Sequence, residues 1–254
     1  MYYTYYGANS WLLELGDRRI LVDPWLVDSL IFFNMPWLFK GDRPQPIDPR
    51  PDRIDLILLS QGLEDHAHRP TLNQLDRTIP VIASPTAAKV AQELDYTTIT
   101  TLSPGDSHMV GDRLQVQALS GAPIGLQMEN GYCLTDTHQD FSVYYEPHGY
   151  PPSTLDTMGQ VEVVISPVVN LELPFSIPII QGNDSALALA QQLKPFLFLP
   201  TALGGDVVYS GMLDKLIQTT GDVNKLQQRL TEAHLSTQVM APTPYQRYSA
   251  VVTA

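Results

Sequence analysis

Four residues able to hold a metal ion or move a proton, Glu64, Asp65, His66 and His68, fall within Ser60–His68, SQGLEDHAH. Two more, Glu146 and His148, stand in EPHG at 146–149. Carboxylate oxygen and imidazole nitrogen are the donors that divalent cations such as zinc, manganese and iron accept, about four to a tight site. If the fold brings the two stretches together, one ion held by Asp65, His66 and His148, with Glu146 or water completing the shell and His68 beside it, is chemically acceptable. It would lower the pKa of bound water and supply hydroxide. Without a metal, His66 oriented by Asp65 is a candidate general base.

Each residue also has an ordinary structural reading. Asp65 can cap a short helix near Pro70 or bind loop amides, His66 and His68 can hydrogen-bond to backbone, and Asp23 can stabilise its own turn. His108 lies beside a turn and His138 at a hairpin tip, so both are expected in solvent. His234 ends a helix, where a cation suits the dipole. Cys133 sits in an apolar strand pattern and is expected in the core.

These loops need elements to hold them. Tyr2–Tyr6, Trp11–Leu15 and Arg19–Val22, separated by Gly-containing turns, predict a β-rich opening that ends at Asp23 and Pro24. The apolar run 54–59 predicts a strand covered on both faces, with SQGLEDHAH at its carboxyl end. A short helix over Pro70–Leu75, a strand over Val81–Ala83 and a helix opening at Pro85 follow. Next come strands over Ile99–Leu102, Met109–Val110, Leu114–Leu119, Tyr132–Thr135, Ser142–Tyr145 and Val161–Ser166. Asn183 or Asp184 is the expected cap of a helix ended by Pro195 before a strand over Phe196–Leu199. Helices near Met212–Gln218 and Val223–Ala233 and a last strand near Gln238–Ala241 complete the prediction.

Composition narrows the function. A balance of 15 basic against 27 acidic residues, net −12, repels phosphate backbones and excludes nucleic acid as an expected partner. One cysteine rules out an internal disulfide and any zinc site built on several cysteines. The opening MYYTYYGANSW does not read as a signal peptide, and no apolar run of about 20 residues predicts a transmembrane segment, so a soluble, cytoplasmic protein is expected. At 254 residues the simplest reading is a single domain over 1–254. The segment 30–39, LIFFNMPWLF, followed by proline-rich sequence, reads as an excursion from the sheet. It is either a flap over the domain's own core or a surface for an apolar small-molecule ligand, a protein partner or a membrane.

Three runs resemble the metallo-β-lactamase superfamily. GANSWLLELGDRRILVDPW resembles its opening, especially the branch similar to L-ascorbate-6-phosphate lactonase, where a strand pair ends in a DP turn. IDLILLSQGLEDH resembles the strand and metal loop, and QLKPFLFLPTALG the late helix, strand and ligand loop. The resemblance implies an α/β fold, the αββα four-layer sandwich, with Glu146 and His148 at the same end as Asp65 and His66. It also implies an HxHxDH loop, and here the chain departs, with Gln61 and Leu63 in the places of the first two histidines. The third histidine has no counterpart in SGAPIG, EPHG replaces the GDT turn of the bridging aspartate, and TALGG lacks the last histidine. A standard two-zinc centre is therefore not expected. The expected function is a divergent hydrolase acting on an ester, lactone or phosphoester through a rebuilt site. The alternative is a noncatalytic binding or assembly protein that kept the scaffold.

Overall fold

The run Leu56–Leu59 is wholly buried and forms the strand its composition predicts, with a parallel neighbour on each side. The computed structural model describes residues 1–45, 47, 51–124, 127–175, 177–203, 205 and 207–250. Part of SGAPIG and part of TALGG lie outside those residues. Among the described residues, two large sheets and four α-helices give the mixed α/β class that the sequence predicts. Contacts divide the chain into two compact units, where a single domain over 1–254 is the sequence expectation.

Unit 1 takes Met1–Ser103, Leu203–Leu216 and Pro242–Ser249. Its elements begin with β1 (Tyr2–Tyr5), β2 (Trp11–Leu15), β3 (Arg18–Val22), β4 (Leu30–Ile31) and β5 (Lys40–Asp42). They continue with β6 (Leu56–Leu59), α1 (Arg69–Gln74), β7 (Val81–Ala83), α2 (Pro85–Glu93) and β8 (Ile99–Thr101). The seven-stranded sheet runs in the order Arg247–Ser249, β1, β2, β3, β6, β7, β8. It is antiparallel as far as β3 and parallel from there. The Ser84 side chain accepts from Ala87 N and Pro85 supplies a preset first turn, so α2 starts where predicted. Its Ala87, Ala88, Val90 and Ala91 are buried with Ile57, Leu59, Val81 and Ala83 of the sheet.

Strands β4 and β5 and a strand at Val208–Ser210 form a separate three-stranded sheet, so 30–39 does leave the main one. The helix expected near Met212–Gln218 is absent. Met212 N donates to Trp37 O at 3.0 Å and Leu213 N to Leu38 O at 2.9 Å, so this stretch bonds to the excursion instead of coiling on itself.

Unit 2 takes Pro104–Ala202 and Ile217–Ala241, with Ala250. It holds β9 (Ser107–Val110), β10 (Leu114–Ile124), β11 (Gln127–Asp136), β12 (Phe141–Tyr145) and β13 (Val163–Pro167). After these come β14 (Asn170–Leu173), β15 (Ile177–Gln181), α3 (Gly182–Leu193), β16 (Leu197–Thr201) and α4 (Val223–Glu232). Its large sheet runs Gln238–Val239, β16, β13, β12, β11, β10, β9. Cys133 is buried within it, as expected, while His108 and His138 are exposed.

Helix α3 begins earlier than its predicted caps. Gln181 is the N-cap without a side-chain cap bond, and Gly182 is the first helical residue. A Cβ at 182 would lie 2.3 Å from the Pro167 carbonyl carbon and oxygen, so only glycine lets helix and strand approach there. Gly182→Ala is expected to cost about 3 kcal/mol, read as a lower urea midpoint at unchanged slope.

Candidate functional site

Because β3 and β6 are parallel neighbours with Val22 opposite Leu58, the residues that follow them emerge side by side. Asp23 N donates to Leu58 O at 3.0 Å, and the Asp23 backbone has φ 40°, a left-handed conformation that aspartate tolerates better than most residues. Its Oδ1 accepts from Ser60 N at 2.7 Å, and its Oδ2 accepts from the Ser60 hydroxyl. The same Oδ2 lies 2.7 Å from His66 Nδ1. His66 reaches this carboxylate because a tight turn lifts it back over the strand end, with His66 N and Ala67 N both donating to Leu63 O.

The other imidazole nitrogen, His66 Nε2, is 3.1 Å from Asp65 Oδ2 and 3.4 Å from Asn9 Nδ2. His66 and Asp23 are both fully buried. Burial alone would depress the imidazole pKa, but the Asp65 and Asp23 carboxylates outweigh it and hold it up at about 10. A carboxylate on each nitrogen is satisfied by a doubly protonated ring, which cannot act as a general base.

The same geometry fits a cation in place of the Nε2 proton. Two ligands bound at about 2.1 Å around one ion stand roughly 3.0 to 3.4 Å apart, which the 3.1 Å between Nε2 and Oδ2 matches. Asp23 at Nδ1 is the carboxylate partner that orients a ligating histidine. Asp65 and His66 could thus hold a divalent ion through one oxygen and one nitrogen. Leu63 brings no donor.

His68 has another task. Its Nδ1 accepts from Thr71 N and caps α1, the role that the sequence reading gave to Asp65. Its Nε2 lies 3.3 Å from Ser29 O. One nitrogen accepting and the other donating defines a neutral imidazole, and burial pushes its pKa down to about 4. His68 is a helix cap in this structure.

In unit 2, Glu146 is fully buried. Oε1 accepts from His148 N at 3.0 Å, while Oε2 accepts from Gly149 N at 2.6 Å and Tyr150 N at 2.7 Å. Three backbone donors give this carboxylate a part in shaping the EPHG loop. Gly149, at φ 79°, permits that loop, since a Cβ would meet Gln181 C at 2.6 Å. His148 is buried, and its carbonyl accepts from Gln181 N at 2.8 Å.

Sequence reasoning missed Asn9, Ser60 and Tyr209. Tyr209 pairs with Gly41 of β5 and stacks on Phe39 at 5.4 Å and 9°. A Cβ at Gly41 would meet its ring at 3.2 Å. Burial, and then the Asp65 carboxylate, push the Tyr209 hydroxyl up to about 12, so the phenol stays protonated within the field of Asp65.

A protein-family profile described as a beta-lactamase superfamily domain matches residues 2–202. Among curated proteins, the cytidine monophosphate-N-acetylneuraminic acid hydroxylase of Cricetulus griseus is 34% identical over 95 residues, which is 36% of this chain. The match spans only 16% of that relative's length. Among solved structures, a possible metal-dependent hydrolase from Veillonella parvula is similar with a TM-score of 0.71 at 13% identity, covering 98% of each chain. Isothiocyanate hydrolase from Delia radicum gut bacteria is similar with a TM-score of 0.70 at 14% identity, again covering 98% of each chain. At such identities the likeness is one of fold.

Proposed function

Because the chain belongs to the beta-lactamase superfamily and carries its metallo-β-lactamase fold, we propose that it is a divergent hydrolase acting on an ester, lactone or phosphoester, with one divalent cation at Asp65 and His66. The observation that carries this reading is the array of buried Asp23 and His66 with half-buried Asp65, carboxylate oxygens lying 2.7 Å from Nδ1 and 3.1 Å from Nε2. When bound, zinc, manganese or iron would polarise a substrate oxygen and acidify a water. The chain's own residues prepare that position. With Asp23 holding the proton on Nδ1, Nε2 is the nitrogen that would give up its proton and turn its lone pair to a cation shared with Asp65. Ser60, donating to Asp23 through amide and hydroxyl, keeps that carboxylate in place. The DP turn that supplies Asp23 resembles one in the L-ascorbate-6-phosphate lactonase branch, and that resemblance supports a lactone or other acyl substrate. A cytoplasmic setting, suggested by the single cysteine, belongs to the same proposal.

Metal analysis of protein purified without chelator is expected to give about one equivalent, with hydrolysis restored to stripped protein by one of the three ions. Less than a tenth of an equivalent, with nothing restored, would sink the reading. Since the cation must displace the Nε2 proton, affinity is expected to weaken about tenfold for each pH unit of acidification below neutrality. A titration showing pH-independent affinity would place the ion elsewhere.

Gln61 and Leu63, where the fold's usual imidazoles are expected, favour a second reading as a noncatalytic binding protein. Metal-free protein that turns over no acyl or phosphoryl substrate is its expected result. The similarity to a hydroxylase supports a redox variant of the leading reading, recognisable by iron as the retained ion.

A further inference from the structure

We propose that the side-chain carbonyl of Asn9 is a third protein ligand for the divalent cation at Asp65 and His66, giving a set of one nitrogen and two oxygens. The inference rests on the hydrolase reading above and deepens it.

Asn9 is 4% exposed, and its carboxamide ends 3.4 Å from His66 Nε2. Asp65 Oδ2 lies 3.1 Å from the same nitrogen, so two side chains approach Nε2 at the spacing of neighbouring ligands around one ion. A carboxamide offers either its oxygen or its nitrogen to one place by a half-turn about its last bond, and whatever sits at Nε2 chooses between them. A bare lone pair there would face the Asp65 carboxylate, so Nε2 carries a proton or a metal ion. Both are electron-pair acceptors, and both favour the Asn9 oxygen over its NH2 group. Asn9 thus raises the donors within unit 1 to three. Three protein ligands with a position left for water make up the usual catalytic zinc site, and two alone fall short. Because carbonyl oxygen suits manganese while imidazole suits zinc, Asn9 adds more to manganese affinity than to zinc affinity.

The backbone holds Asn9 in place without help from His66. Tyr6 N donates to Ser10 O at 2.8 Å and Ser10 N to Gly7 O at 2.9 Å, closing the turn that carries Asn9. The Ser10 hydroxyl donates to Asp23 O at 2.9 Å and accepts from Trp25 N at 2.8 Å. The turn is therefore tied to the one that supplies the carboxylate partner of His66. Ala8, beside Asn9, has φ 50°, a left-handed conformation that alanine adopts rarely, and strain of this kind collects at functional sites.

The test is chelator-competition titration of the full chain with manganese and with zinc, beside Asn9→Leu and Asn9→Asp. Asn9→Leu keeps the bulk and removes the donor. It is expected to weaken manganese binding about tenfold or more, at least what loss of a partner behind a ligand costs, and zinc binding less. Water-proton relaxation of the manganese-bound variant is expected to show an added water on the ion. Asn9→Asp keeps an oxygen in place, so it is expected to bind manganese at least as tightly as the parent and to gain at least as much resistance to urea from it. A purely structural asparagine would give neither result. Equal manganese affinity in the parent and Asn9→Leu overturns the proposal. If the leucine variant does not fold, Asn9→Asp decides alone, and weaker manganese binding than the parent's overturns it. A parent that binds neither ion removes the cation of the hydrolase reading and this ligand together, whereas an ion held equally by parent and Asn9→Leu removes Asn9 alone.

Discussion

Replacing Asp23 with alanine is expected to destabilise the protein by about 3 to 5 kcal/mol, the usual result of leaving one member of a buried ion pair without its partner. The change removes the acceptor for Ser60 N and for the Ser60 hydroxyl, and strips His66 Nδ1 of its carboxylate. It also places alanine at φ 40°, which adds roughly a further 1 kcal/mol that aspartate or asparagine avoids. Asp23→Asn separates the two effects, since it keeps the backbone tolerance and one acceptor while losing the charge. Protein that still folds is expected to bind a divalent cation about 10 to 100 times more weakly, as when a carboxylate behind a ligating histidine is lost. Urea denaturation and a chelator-competition titration read the two quantities. An alanine variant within about 1 kcal/mol of the parent would show that the carboxylate does not support His66.

Acidification is expected to remove about 3 kcal/mol of stability through His68 alone. Its imidazole is neutral in the folded protein, with a pKa depressed from 6.5 to about 4 by burial, and it titrates normally once unfolded. Above pH 6.5 neither state is protonated and there is no penalty. Below it the unfolded chain takes up a proton that the folded chain refuses, so stability falls by about 1.4 kcal/mol per pH unit until pH 4. His66 has the opposite sign. Its raised pKa contributes stability that is present below 6.5 and lost as pH rises toward 10. His68→Asn keeps a side-chain acceptor for Thr71 N and removes the titration, so its stability between pH 7 and 4 is expected to decline less steeply than that of the parent. Parallel curves in urea titrations at pH 7, 6, 5 and 4 would assign the acid sensitivity to another group.

The fold was largely legible where its signals are local. Alternating aromatic and apolar residues marked β1 to β3, the run ending at Leu59 marked β6, and Ser84 with Pro85 marked the start of α2. Elements that exist only through distant partners were not legible. Strands β4 and β5 are two and three residues long and depend on Val208–Ser210, nearly 170 positions later. The predicted helix at Met212–Gln218 yielded to the same tertiary pairing. At the site, Asp65 and His66 stood out by type and spacing. His68 and Glu146 stood out equally, yet one caps a helix and the other binds three loop amides, because a donor's duty depends on what surrounds it.

By itself the sequence indicated the strands and helices that carry local signals and the superfamily resemblance. These follow from residue type, period and spacing, which act over a few positions. Only the tertiary structure decided that Asp23 serves His66 and that Asn9 and Ser60 join them. Asp23 and His66 are 43 residues apart, and their meeting depends on the parallel register of β3 with β6 and on the turn at Leu63. Register is a property of two strands together, and neither strand's sequence specifies it alone.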